Sequence, residues 1–380
     1  MIRPSPADVV VIGAGVVGAA CAWHLARMGL SVTVVDRGPV AGGTTGAGEG
    51  NLLVSDKAPG PELELALLSL KLWQGIAEEL PDVEYDRKGA LVVADSAPAL
   101  RGLLQTAAKQ RDAGVQAHPV AATALAEYEP HLASDLAGGV HYPDDAQVQP
   151  MLAAARLLAA ARDLGAQLRC HVEVTGLLRS GERVTGVRTR AGDLRSGAVV
   201  NAAGTWAGEI ASMAGIRLPI APRRGFILVT EPLPRVVRHK VYAADYVAAV
   251  ESDDADLQVS PVVEGTAAGP VLIGSSRERV GHDRTISVDV LRRLAAAAIR
   301  LFPVLAGVAA IRAYRGFRPY TPDHLPVIGP DPRSPGLLHA CGHEGAGVGL
   351  AAGTGHLIAQ SVFGEAPDLD LRPFRPERFA

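Results

Sequence analysis

The chain has 380 residues, 48% of them hydrophobic and 20% charged, with a formal net charge of −3. That length buries two domain-sized cores, and the basic residues are scattered, with no basic block or aromatic–basic interleaving, which argues against a nucleic-acid-binding role. Cys21, Cys170 and Cys341 are isolated and lack Cys/His ligand spacing, so no metal, whether structural zinc or an iron–sulfur cluster, is expected of this chain.

In chain order, residues 9–12 form a short β-branched run with the composition of a strand buried on both faces. Gly13, Gly15 and Gly18 follow at once as G-x-G-x-x-G. Residues 19–28 then read as a helix, with Ala22, Leu25 and Ala26 on one face and Gly29 as its C-terminal stop. Residues 31–35 make a second strand that ends at Asp36. The spacing has a chemical reason. Gly13 permits a tight turn, Gly15 lets backbone approach a pyrophosphate, and Gly18 lets the helix sit close to the strand. The helix N-terminus offers unpaired N–H groups to phosphates, and Asp36 is placed to accept bonds from ribose hydroxyls. This stretch also loosely imitates a signal peptide, because Arg3 precedes an apolar run that reaches Ala19-Ala20-Cys21. Cleavage there would destroy the glycine turn, so the chain is expected in the cytoplasm, where an odd count of unpaired cysteines also fits. No uninterrupted apolar run reaches the roughly 18 residues of a membrane span.

Residues 38–51, including GGTTGAGEGN, are rich in small residues and read as a backbone-lined cradle for a large planar ligand. Residues 62–80 have helical periodicity, with Trp73 on the core face. A turn and strand over 85–94, a helix over 97–113 and an Ala/Leu helix over 151–164 follow. Residues 174–189 read as a β-meander with turns at Ser180-Gly181 and 191–193, and VVNAAGTWAG over 199–208 is again strand, Gly turn and helix. Between about 218 and 318 the pattern becomes mostly β, with strands over 226–230, 258–263 and 271–275 and one helix over 288–301. Residues 325–329 and 337–340 are β-like, and 342–364 form a Gly-rich turn entering a long final helix.

The opening motif alone serves NAD and FAD equally. The GGTTGAGEG loop, the second strand–Gly–helix element at 199–208 and the further helix N-terminus in GHEGAGVG favour FAD. The dipole of that last helix would suit negative charge on a reduced flavin. Five ordered segments, VVIGAGVVGAACAWHLARMGLSVTVVDR, the GGTT loop, VVNAAGTWAG, RGFRPYTPDHLPVIG and GHEGAGVGLAAGTG, resemble the D-amino-acid oxidase/glycine oxidase superfamily of FAD enzymes over nearly the whole chain. AGEGNLLVSDK, LIGSSRE and GHEGAGVGL are most similar to the flavin-containing β subunits of D-hydroxyproline dehydrogenases and opine oxidases.

The resemblance implies an α/β plus α+β fold. A Rossmann-like, glutathione-reductase-like FAD-binding domain (1–82, 146–217 and 326–372) would be interleaved with a mostly antiparallel β substrate domain (83–145 and 218–325). It implies non-covalent FAD, because the positions that carry a Cys or His in covalent members hold Gly316 and Ala47 here. It places the cofactor on Gly13, Gly15, Val16, Val17 and Gly18, on Asp36 and Arg37, and on Thr44, Thr45, Gly48, Glu49, Gly50 and Asn51. Val174 would meet adenine. Ala203, Gly204 and Trp206 would form the second cofactor segment, and Gly345, Ala346, Gly347, Val348 and Gly349 would lie at the flavin ring. Arg318 matches the arginine that clamps a substrate carboxylate, with Arg315 a weaker competitor, and a planar guanidinium suits that task. Glu49 stands as a candidate for a substrate amine, a partner contact or a turn cap. Tyr246 and His343 are secondary substrate-site candidates; Tyr242, like Tyr246, could touch substrate or serve as a core or lid residue, and His343-Glu344 could support the site from behind, though a buried, satisfied role suits His343. The implied activity is oxidation of the C–N bond of a small amino or imino acid (D-amino acid, hydroxyproline, glycine or sarcosine, or opine) by hydride transfer. Electrons would pass to a partner subunit carrying iron–sulfur or a second flavin. A stand-alone oxidase using O2, including one serving thiazole biosynthesis, and a non-catalytic FAD-bearing subunit stay open.

Overall fold

The computed structural model describes residues 7–246 and 254–380. Its organising unit is strand β1 (Ala7–Ile12), helix α1 (Val16–Arg27) and strand β2 (Val32–Val35). Two glycines make the junction possible. A Cβ on Gly13, whose φ is +115°, would stand 2.3 Å from the Ala202 carbonyl oxygen, and one on Gly18 would stand 2.0 Å from the Gly13 oxygen. The strand, the helix and the neighbouring 202–203 turn therefore close to a distance that no side chain permits.

β1 and β2 lie inside a sheet ordered Val327–Pro330, Leu337–Cys341, Gly192–Asn201, β1, β2 and Gln167–Arg169. From Leu337–Cys341 to Gln167–Arg169 every pairing is parallel, and Val327–Pro330 joins antiparallel. The expected meander, Val174–Ser180 and Arg183–Thr189, hangs antiparallel from the first half of Gly192–Asn201. α1 packs between the helices Pro150–Asp163 and Gly347–Phe363. Its small buried face allows close approach: a Cβ on Gly355 would come 2.6 Å from the Ala20 carbonyl carbon. The helix Pro61–Glu79 covers the final helix, and Trp73 seals the contact by donating from Nε1 to the Val348 carbonyl at 3.1 Å.

A second sheet runs Ala310–Tyr320, Ala221–Thr230, Val271–Arg277, Gln258–Gly265, Lys240–Ala243, Ala90–Ala94, Gly138–Tyr142 and His118–Ala121. It is antiparallel except where Lys240–Ala243 meets Ala90–Ala94. The helix Val288–Leu301 buries Val290, Leu294, Ala298 and Leu301 against it, as its sequence periodicity requires. Four strands here were not apparent in the sequence, His118–Ala121, Gly138–Tyr142, Lys240–Ala243 and Ala310–Tyr320. Lys240–Ala243 is short, and Ala310–Tyr320 is interrupted by Gly316 and Pro319, which an edge strand tolerates. Among the described residues no helix is long and apolar enough to cross a membrane.

Candidate cofactor and substrate site

The carboxyl ends of β1, β2 and Gly192–Asn201 open into one long cavity that continues to the second sheet, the place where open α/β sheets hold ligands. At its β1 end it is lined by Gly13, Gly15, Val16, Val17, Asp36 and Arg37. Asp36 is held by two backbone amides, Ala14 N–H to Oδ2 and Gly38 N–H to Oδ1, each at 2.7 Å. Val174, Ala203, Gly204 and Trp206 border the same end. The Arg37 guanidinium lies 4.1 Å from the centroid of the Trp206 ring, and the His282 ring stacks on the same indole at 5.4 Å with ring planes 3° apart. α1 begins at Gly15 with no side-chain cap and no acidic residue in its first turn. Val16 N–H donates to Thr45 Oγ1 at 3.0 Å, so the loop that carries Thr44 and Thr45 is tied across the helix start. Thr44 in turn donates to the Phe317 carbonyl at 2.6 Å and links the loop to the second sheet.

Gly48, Glu49 and Asn51, then Gly345, Gly347 and Val348, line the middle of the cavity. Four residues expected at the cofactor do not line it: Gly18, Gly50, Ala346 and Gly349. Three of these are packing glycines. A Cβ on Gly50 would stand 1.7 Å from the Val148 carbonyl oxygen and one on Gly349 would stand 3.0 Å from the Asn51 oxygen, while Gly18 serves the helix–strand junction. Ala346 packs against the core next to the final helix. That helix, like α1, starts without a side-chain cap or an acidic residue in its first turn.

At the second-sheet end stand Arg318, Tyr246, Gly225 and Ile227. Arg318 Nη1 donates to the Ser276 carbonyl at 2.9 Å. Room for its guanidinium comes from a neighbouring strand, because a Cβ on Gly225 would stand 2.3 Å from Nη1. A Cβ on Gly345 would lie 3.5 Å from Nε, so the Gly-rich turn also abuts this side chain. Burial, reinforced by the nearby Arg277 charge, pushes the Arg318 pKa down to about 10, and it stays protonated at neutral pH. Arg315 does not line the cavity. Three residues away on a strand it falls on the opposite face.

The Glu49 side chain is only 7% exposed. Its Oε2 accepts from Asn51 Nδ2 at 3.0 Å and Lys240 Nζ at 3.4 Å, while Oε1 has no hydrogen-bond partner among the described residues. Gly274 makes space for it, since a Cβ there would meet Oε1 at 2.3 Å. Lys240 also pairs with Glu264. Burial alone would depress the Lys240 pKa, but Glu264 and Glu49 together hold it raised. His343 lines the cavity, yet its Nε2 bonds Thr354 Oγ1 at 2.9 Å and burial lowers its pKa to about 3, so the ring is neutral. Glu344 pairs with Arg223 at 2.6 Å and with His324 at 3.0 Å. Burial opposes its charge, but His324, Arg223 and Arg277 hold its pKa below the ordinary value. Tyr242 lies outside the cavity, fully buried with its hydroxyl on Ser55 Oγ. Lys240, Glu264, Arg223 and Arg277 were not singled out in the sequence. The available signal was the lone glycine inside each of two strands, Gly225 and Gly274, which marks close approach.

The cavity fits FAD on its own geometry. Two uncapped helix starts border it, glycines keep its walls bare, and Asn51 Oδ1 is buried beside it without a hydrogen-bond partner among the described residues. Gly316 and Ala47 lie against each other, with a Cβ on Gly316 falling 2.9 Å from the Ala47 Cβ.

A Rossmann-type cradle opening onto a β-sheet that presents a buried arginine defines a flavin-dependent oxidoreductase. Residues 8–361 match the DAO family, described as FAD dependent oxidoreductase, and the chain belongs to it. Hydrogen cyanide synthase subunit HcnC of Pseudomonas aeruginosa is 32% identical, over 98% of this chain and 96% of that one. Glycine oxidase of Geobacillus kaustophilus is 30% identical over 97% of this chain and 96% of its own. Its crystal structure superposes with a TM-score of 0.88 at 28% identity, over 97% of this chain and 98% of that one. The crystal structure of L-proline dehydrogenase from P. horikoshii gives a TM-score of 0.90 at 25% identity, over 99% of this chain and 98% of the other.

Proposed function

We propose that this protein oxidises the C–N bond of a small amino or imino acid, with Arg318 binding the substrate carboxylate. The observation that carries the reading is a buried guanidinium in the same cavity as the Gly-rich cradle, fixed by one backbone carbonyl and without an ion-pair partner among the described residues. Its remaining N–H groups suit a bidentate carboxylate, which orients the substrate's Cα. FAD, when bound, supplies the acceptor for the hydride that leaves that carbon. Glu49 Oε1, unpaired and at the cavity wall, suits the substrate nitrogen, and the Lys240–Glu264 pair holds the carboxylate in place. Tyr246 bounds the same space, and neutral His343 contributes shape and no charge.

Gly13, Gly15, Val16 and Val17 would hold the cofactor pyrophosphate, and Asp36, Arg37 and Trp206 its adenosine. We assign residues 1–82, 146–217 and 326–372 to the cofactor domain and 83–145 and 218–325 to the substrate domain. The membership of the two sheets supports that division. The protein serves as the flavin subunit of a multi-subunit cytoplasmic dehydrogenase. Support comes from the relative named a synthase subunit.

The test is anaerobic flavin bleaching with a panel of D-amino acids, sarcosine, proline isomers and opines, in wild type and Arg318→Ala. The variant should keep its FAD while KM for the bleaching substrate rises roughly 10- to 100-fold. Unchanged kinetics would remove Arg318 from the site, and no bleaching by any amine would sink the amine reading. Peroxide formed in air by the purified chain would assign O2 as acceptor in place of a partner.

A further inference from the structure

Among the described residues, charge pairing around the substrate end of the cavity leaves one cation over. Lys240 is matched by Glu264 and Glu49, and Arg223 by Glu344. Arg318 awaits the substrate carboxylate under the reading above. Arg277 is then unaccounted for. It is 3% exposed, makes no ion pair among the described residues, and its Nη1 is buried with no hydrogen-bond partner. A guanidinium kept dry without an anion is costly, and the face of an aromatic ring offsets only part of that cost.

Its position says where an anion would arrive from. The Arg277 guanidinium lies 4.6 Å from the centroid of the Tyr246 ring, and Tyr246 lines the cavity. One residue earlier on the same strand, the Ser276 carbonyl holds Arg318. Arg277 also raises the cost of charge on Arg318, so the two guanidiniums share one electrostatic environment. Arg318 stands in the cavity wall and Arg277 lies directly behind the wall residue Tyr246, and two dry cations so placed are better satisfied by two carboxylates than by one.

We infer that Arg277 is a second carboxylate anchor and that the preferred substrate is a dicarboxylic amino or imino acid. Its nitrogen-bearing carbon is fixed by Arg318 and its second acidic group by Arg277. This rests on the amino-acid reading of the site and narrows it.

The test uses the FAD-loaded protein and two ethers that cannot be oxidised as amines. Diglycolate carries two carboxylates, and methoxyacetate carries one. By titration calorimetry the wild type should bind diglycolate at least ~10-fold more tightly. Arg277→Gln should collapse that preference to within about 3-fold, and Arg277→Lys, which keeps the charge but loses the fork, should retain an intermediate one. Wild-type binding of the two ligands within about 3-fold, or binding of neither, overturns the proposal. So does a preference that survives in Arg277→Gln. Should that variant fail to load FAD, a wild-type-sized preference in Arg277→Lys overturns it equally. Arg318→Ala separates the two readings. If it leaves methoxyacetate binding untouched while Arg277→Gln abolishes the diglycolate preference, the Arg318 assignment falls and the Arg277 anchor stands.

Discussion

His343 shows how burial decides what a residue in a cavity wall can do. Its ring bonds Thr354 and is kept neutral by desolvation, with a pKa of about 3 against an ordinary 6.5. Below pH 6.5 the unfolded chain takes up a proton there that the folded chain refuses, so stability falls as pH drops from about 6.5 toward 3. His343→Gln should remove that share of acid sensitivity, on the order of a few kcal/mol between neutrality and pH 4. Thermal unfolding of both proteins across pH 4–7 checks this. The wild-type Tm should fall more steeply, and parallel profiles would contradict a buried neutral ring. The sequence carried this residue only as a His beside a Gly-rich turn. It carried the place of Asp36 in the cavity better, because that follows from fixed spacing after the glycines. Lys240, Glu264 and Arg277 could not be found that way, since what brings them together is the register between successive strands, which no local motif fixes.

At the scale of elements, the substrate end is built where the edge strand Ala310–Tyr320 pairs with Ala221–Thr230, placing Gly225 opposite Gly316 and Arg223 opposite Arg318. The helix Val288–Leu301 and the strands of the first sheet were legible because apolar periodicity marks them directly. The strand that carries Arg318 was not, because glycine and proline break its alternation while edge pairing still accommodates them. Those glycines have a purpose the register makes plain. Gly225 gives its space to the Arg318 guanidinium, and a methyl there would also meet the Ser276 carbonyl oxygen at 2.5 Å. Gly225→Ala should therefore displace Arg318 from its Ser276 anchor and raise KM for the carboxylate substrate by roughly 10-fold, with FAD content retained. Steady-state kinetics beside the flavin absorbance of the purified variant decide it. Unaltered KM would mean that the strands separate without moving the arginine.

For the molecule as a whole, the cavity draws its walls from segments as far apart as Ile12 and Val348, and both sheets contribute. A ligand bridging them stabilises the native state by mass action, because the unfolded chain has no such site. The same walls say how the cofactor is retained. Gly316 and Ala47 touch each other and offer no nucleophilic side chain, and Cys21 and Cys341 are buried with thiol pKa values pushed up to about 12 by desolvation. Cys341 alone of the three cysteines lines the cavity, and at neutral pH it is a thiol with almost no thiolate character. Attachment through any of these groups is disfavoured, so under the proposed reading FAD would be held without a covalent bond, by the glycine-rich turn and Asp36. Acid precipitation should release all of the flavin to the supernatant and leave a colourless pellet. Adding FAD back to the apoprotein at about 100 times its Kd should stabilise it by about 2.7 kcal/mol, read as a rise in Tm that depends on FAD concentration. A yellow pellet would show a covalent bond that the geometry around Gly316 and Ala47 does not provide.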